Sequence, residues 1–147
     1  MRVDGKWFLG EDGVIRPTVP GFVRIADGRW SEVTFLLDAG ADRTVFSARF
    51  LHKLRPLEKA ELESARLTGV GGEANSITIE SAISFERHDG QRVTVRGQFG
   101  VFTDIKSADL SLLGRDVTDN FAVIYDRLTE TVALLAPPHF YEIRTAR

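Results

Sequence analysis

Apolar residues in this chain recur mostly at every second position in short runs, and Asp-Gly dipeptides at 4–5, 12–13, 27–28 and 89–90 cut the runs. Alternation turns one face of a strand inward, and Asp-Gly supplies the positive φ of tight hairpins. The pattern predicts a mainly β protein. Trp7-Phe8-Leu9 and Val14-Ile15 flank Asp12-Gly13 as a first hairpin. Pro17 and Pro20 end it, because proline cannot donate to a central ladder. Residues 22–26 and 31–37 form a second hairpin across Asp27-Gly28, with Val33, Phe35 and Leu37 on one face. Behind Ser47, a capping residue, Phe50, Leu51 and Leu54 fall at helical spacing and Pro56 stops the run, which predicts a short helix. Residues 57–63 are charged and alanine-rich, a solvated loop or one further turn.

The β pattern returns at Ala65-Arg66-Leu67-Thr68 and, beyond Gly69-Val70-Gly71-Gly72, at Ile77 and Ile79. Strands over 83–86 and 93–102 flank Asp89-Gly90, with Val93, Val95, Phe99 and Val101 inward and an adjustment of phase expected near Gly97. An apolar run over 108–113 enters Gly114-Arg115-Asp116, followed by a helical turn over 117–121. Residues 122–125 and 131–135 make a last hairpin before Pro137-Pro138. Residues 1–147 are expected to form one domain, with a core over about 21–135 and short extensions at either end.

Composition adds exclusions. A chain of 147 residues, 43% hydrophobic and 27% charged, is sufficient for one well-filled core. The 19 basic and 21 acidic residues are mixed along the chain, so no basic footprint for nucleic acid is visible. With no cysteine, disulfides, thiolate metal sites and cysteine nucleophiles are ruled out, and a reducing cytoplasm fits. The start lacks the apolar core of a signal peptide, and no run approaches the roughly 20 apolar residues that span a bilayer, so no membrane association is expected for the chain as given. His52, His88 and His139 have no metal-ligand spacing, no Gly-x-Ser-x-Gly occurs, and Gly69-x-Gly71-Gly72 lacks the Lys-Ser/Thr of a phosphate loop. No metal or cofactor is expected.

What remains is Asp38, a carboxylate at the end of the apolar run Phe35-Leu36-Leu37. A carboxylate there costs free energy unless it is hydrogen-bonded, paired or shares a proton. The segment Leu37-Asp38-Ala39-Gly40-Ala41-Asp42-Arg43-Thr44-Val45 resembles the active-site segment of the retropepsins, the retroviral-type aspartic proteases, whose usual form is Asp-Thr/Ser-Gly-Ala. Gly69-Val70-Gly71-Gly72 resembles their glycine-rich flap tip, and Leu112-Leu113-Gly114-Arg115-Asp116 resembles the turn before their C-terminal helix. The final hairpin is closer to cellular and bacterial members than to the compact viral ones. The resemblance implies a closed β-barrel forming a single acid-protease lobe, with one or two short helices and a glycine-rich flap hairpin.

It also implies roles. Hydrolysing a peptide bond without a metal or nucleophile needs water held between an acid and a base, and two carboxyl groups sharing one proton supply both. The chain has one Asp-x-Gly, so the chemistry asks for a homodimer with Asp38 from each copy, acting on a peptide or unfolded protein. Gly40, Ala41, Asp42, Val70, Gly71 and Gly72 would contact substrate. Ala39, Thr44, Leu113, Gly114 and Arg115 would support the site, and an Asp42–Arg115 ion pair would tie its two glycine turns together. Ala39 stands where the family has a Thr or Ser hydroxyl that braces the dimer. Two functions therefore stay open, a protease whose dimer is weaker or braced otherwise, and a silent dimerisation or peptide-binding module. An unrelated barrel in which Asp38 merely caps a turn is the third.

Overall fold

The structure, a computed structural model, describes residues 1–54, 64–69, 72–104 and 110–139. Its strands are β1 (Arg2–Asp4), β2 (Lys6–Leu9), β3 (Ile15–Arg24), β4 (Trp30–Leu37), β5 (Val45–Phe46), β6 (Ser64–Gly69), β7 (Gly72–Glu86), β8 (Arg92–Phe102), β9 (Ser111–Leu113), β10 (Ala122–Asp126) and β11 (Thr131–Leu135). A 3-10 turn at Ala48–Phe50 leads into α1 (Leu51–Leu54), and α2 is Arg115–Thr118. Among the described residues no helix is long and apolar enough to cross a membrane.

Eight strands run in the order β2-β3-β4-β9-β5-β8-β7-β6, and a second contact, β3 with β7 at Phe22–Ser84 and Val23–Ile83, closes six of them into a ring. The mainly β character expected from the pattern and the single-lobe barrel implied by the resemblance are therefore present. Its interior is apolar: Val33, Phe35 and Leu37 of β4 point inward as alternation requires, with Phe46, Phe85, Phe99 and Leu113 around them. Phe35 packs on Phe46 and Phe85 with ring centroids 5.7 and 6.1 Å apart, and Phe46 meets Phe99 edge-on at 5.9 Å. A three-stranded sheet, β1-β11-β10, lies outside the ring.

Several local expectations need correcting. Pro17 and Pro20 do not end a strand; β3 runs through both. Pro17 pairs with Trp7 of β2 before the pairing with β4 begins, and Pro20 pairs with Thr34 of β4 after the pairing with β2 has ended. Each proline thus lies where β3 has a neighbour on one side only, leaving an open side for its missing N–H. Asp4-Gly5 is not a hairpin turn, for the positive-φ glycines are Gly13, Gly28 and Gly90. Gly5 is small for another reason, since a Cβ there would lie 2.3 Å from the Thr18 carbonyl oxygen.

Residues 77–79 and 83–86 belong to one strand, β7, whose register with β8 runs unbroken from Ser76–Phe102 to Glu86–Arg92. No phase shift occurs at Gly97, because 93, 95, 97, 99 and 101 all share one parity and one face. The helix after Ser47 forms as a 3-10 turn and one α turn, with Ser47 Oγ accepting from the Arg49 N–H. The second helix begins at Arg115, two residues before the expected start at 117.

Candidate active site

The sequence delivers Asp38 at the end of β4, and the fold brings the end of β9 beside it. β4 and β9 pair in parallel through Phe35–Ser111, Leu36–Leu112 and Leu37–Leu113, and the pairing extends one step, with the Asp38 N–H donating to the Leu113 carbonyl at 3.1 Å. Asp38 is half-buried and its turn is self-braced. The Gly40 N–H donates to Asp38 Oδ1 at 3.0 Å, and the Ala41 N–H donates to the Asp38 carbonyl at 3.1 Å. Ala39 and Gly40 are exposed beside it.

The two turns interlock through buried Thr44. Its hydroxyl donates to Asp116 Oδ1 at 2.7 Å and accepts the Gly114 N–H at 3.0 Å, while its own N–H donates to the same Asp116 oxygen at 2.9 Å. Backbone bonds from Arg115 N–H to the Ala41 carbonyl (2.9 Å) and from Asp116 N–H to the Asp42 carbonyl (3.1 Å) complete the join. Gly114 has to be glycine: a Cβ there would sit 2.4 Å from the Arg43 carbonyl carbon, and backbone has nowhere to yield.

Arg115 reaches Asp42 as expected, and this pairing raises the guanidinium's already high pKa, chiefly through the hydrogen bond. The side chains are 53% and 77% exposed, so the pair orients the turns in water and contributes little to stability. Asp116 is the tie that sequence reasoning missed. Its only signal was its place beside Arg115.

Along β4, residues 36 and 38 alternate onto one face, and Leu112 of β9 pairs with Leu36 on that face. Here a hollow of about 570 Å³ opens, walled by Phe8, Leu36, Leu110 and Leu112 and rimmed by Arg16, Arg49 and Asp12. Arg16 is held to Asp12 through two hydrogen bonds, at 2.5 and 2.9 Å. A larger hollow of about 750 Å³, walled by Asp4, Phe22, Glu32, Thr34 and His88, lies further along the strand. The smaller one matters to the site because Leu36, two residues before Asp38, lines it. None of its apolar walls was named as a substrate contact from the sequence, where Leu36 read as an ordinary strand residue and Leu112 only as the start of the glycine-turn block.

Tyr125 of β10 was also missed. Its phenol pKa is pushed up, first by burial and second by the Asp38 carboxylate, which places the two within electrostatic reach. Gly72 pairs with Gly69 across the β6–β7 hairpin, while Val70 and Gly71 lie outside the described residues. His52 is on α1, His88 in the β7–β8 turn and His139 beyond β11, and among the described residues no group of three His, Cys, Asp or Glu is placed to hold a metal.

A crystal structure of a retropepsin-like aspartic protease from Rickettsia conorii is similar over 91% of this chain and 88% of its own, with a TM-score of 0.54 and 20% identity. The chain has the retropepsin-like fold. Two other solved structures match with lower scores. The EIAV protease complexed with the inhibitor HBY-793 covers 71% of this chain and 86% of its own at 25% identity and TM-score 0.44. The retroviral protease-like domain of Ddi1 from Leishmania major covers 82% and 96% at 16% identity and TM-score 0.46. No family model matches the chain, and no curated protein matches it by sequence. In this retropepsin-like fold, the parallel β4–β9 pair carries Asp38 and Gly114 to one end of the ring, with the apolar hollow on the same face.

Proposed function

We propose that this chain is an aspartic endopeptidase that acts as a homodimer, hydrolysing a peptide bond with water held between the Asp38 carboxyl groups of two copies. The observation that carries the reading is Asp38 itself, half-buried at the end of the β4–β9 pair, with its turn fixed by Gly40 N–H and Leu113 carbonyl contacts. One chain supplies one such aspartate, and two like-charged carboxylates in contact hold a single proton between them. The ionised carboxylate takes a proton from water as the oxygen attacks the peptide carbonyl carbon, and the protonated carboxyl gives its proton to the carbonyl oxygen. Collapse of the resulting diol breaks the C–N bond, with a proton passing to the leaving amine.

The other site residues follow from this reading. Exposed Gly40 and Asp42, with half-buried Ala41 between them, offer backbone to an extended peptide, and a large apolar side chain fits the hollow at Leu36 and Leu112. The β6–β7 hairpin, ending at Gly69 and Gly72, is the candidate cover.

One observation favours a second reading, a peptide-binding module without cleavage: Ala39 stands exposed beside Asp38 and carries no hydroxyl to brace a dimer. A single experiment separates the two. The full chain is incubated with an unfolded protein at mildly acid pH, next to Asp38→Asn and Ala39→Thr. The protease reading expects cleavage that Asp38→Asn abolishes and Ala39→Thr preserves or raises. Cleavage undiminished in Asp38→Asn sinks it. Inert wild type and inert Ala39→Thr, both dimeric and peptide-binding, establish the silent module.

A further inference from the structure

We infer that the hollow between the β3–β4 turn and α1 is a docking site for an acidic stretch of a polypeptide, remote from Asp38. The inference stands whether or not Asp38 cuts peptides. The hollow holds about 470 Å³, with Ile25, Arg29, Trp30, Ser31, His52 and Lys53 on its walls. β4 begins at Trp30 and ends just before Asp38, so the two places lie roughly 25 Å apart along the strand, at about 3.3 Å per residue. Backbone joins the two sides, with the Ala26 N–H at the turn donating to the Lys53 carbonyl at 2.9 Å.

The way its cations are held singles this hollow out. Several arginines elsewhere are matched to an acid, as Arg2 is to Asp4, Arg16 to Asp12, Arg87 to Asp89 and Arg127 to Glu130. Arg29 likewise takes up Asp27, through its N–H at 2.9 Å and its guanidinium at 2.6 Å, and so occupies the one carboxylate on the walls. Arg24 and Lys53 differ. The Arg24 guanidinium lies over the ring of Trp30, its cross-strand partner, 5.4 Å from the centroid. Lys53 Nζ lies 5.9 Å from the centroid of Phe50 and donates to Ser31 Oγ at 3.4 Å. Neither has a carboxylate within ion-pair distance among the described residues.

A cation held on an aromatic face keeps its charge and its outward N–H groups while losing freedom of movement. Two positioned cations with donors to spare therefore stand at one hollow, on a chain whose net charge is -2. An outside carboxylate gains from both, and little ordering cost remains on the protein side. Ile25 and Trp30 offer apolar surface to the methylene stem of a glutamate. The patch has too few cations to follow a nucleic-acid backbone, whereas spaced carboxylates on a peptide match it.

The probe is a fluorescein-labelled decapeptide of alternating Glu and Gly, and its binding to the full chain is read by anisotropy. The same peptide with Gln for Glu is expected to bind at least about tenfold more weakly, and salt raised from about 0.05 to 0.5 M should weaken the Glu peptide roughly tenfold. Lys53→Glu and Arg24→Glu should each weaken it at least about tenfold with circular dichroism native, while Arg127→Glu, the same charge change on the β10–β11 turn, leaves it unchanged. No binding of the Glu peptide, equal binding of the Glu and Gln peptides, or wild-type binding by both Lys53→Glu and Arg24→Glu overturns the docking site. An equal loss in Arg127→Glu does so too, because it traces binding to overall charge. Tighter binding of a ten-nucleotide oligothymidylate than of the Glu peptide overturns the polypeptide assignment in favour of nucleic acid.

Discussion

Thr44→Val is the most informative single change at the join between the two turns. Valine keeps the shape of threonine and removes only the hydroxyl, which in the structure donates to Asp116 and accepts from the Gly114 N–H. Leaving the buried Gly114 N–H unpaired costs about 1–3 kcal/mol, and the lost bond to a carboxylate adds roughly 1.5 kcal/mol, the low end because Asp116 is exposed and keeps the Thr44 N–H. The expected loss is therefore about 2.5–4.5 kcal/mol. Urea denaturation reads it, at one fixed protein concentration because a dimer's stability depends on concentration. Thr44→Ser is the control, which keeps the hydroxyl and loses one methyl, worth about 1 kcal/mol. A Thr44→Val/Asp116→Asn cycle should show non-additive coupling, since both residues serve one network. Equal losses in Thr44→Val and Thr44→Ser would refute the reasoning, because the hydroxyl would then carry nothing.

Gly114→Ala should cost about 3 kcal/mol or more, as its Cβ meets the backbone of Arg43 at 2.4 Å; a melting temperature close to wild type contradicts this. Leu36→Ala and Leu112→Ala should lower kcat/KM roughly 10- to 200-fold for peptides with a large apolar residue at the cut bond and little for alanine there, read by competition between the two peptides. The Asp12 carboxyl is held down from 3.8 to about 2, first by the hydrogen bond from Arg16 and then by the Val14 N–H. A carboxyl lowered by folding adds stability above its unfolded value and loses it as pH falls through the folded one, so the β2–β3 hairpin should keep its order near pH 4 and loosen between about 4 and 2. A carbon-detected titration of Asp12 with a midpoint at 3.8 or above would contradict that.

Much of the local structure was legible from residue pattern. Alternation in 31–37 placed Val33, Phe35 and Leu37 inward, and Asp-Gly at 12–13, 27–28 and 89–90 marked turns that form with glycine at positive φ. Both signals depend on neighbours within a few residues, where backbone sterics decide. The same local rules misjudged Pro17 and Pro20, because whether a proline ends a strand depends on which side of it has a neighbour, and that neighbour, Thr34 for Pro20, comes from another strand.

By itself, then, the chain determined where strands turn, which residues face inward, and that one aspartate ends an apolar strand beside a flexible glycine. Only the tertiary structure decided that Asp116 ties to Thr44 across 72 residues, that Leu36 and Leu112 share a hollow, and that β1 covers β11. Closing a ring of strands sets such distant pairs together through register. Periodicity reports the face a residue presents, and never the strand that will meet it.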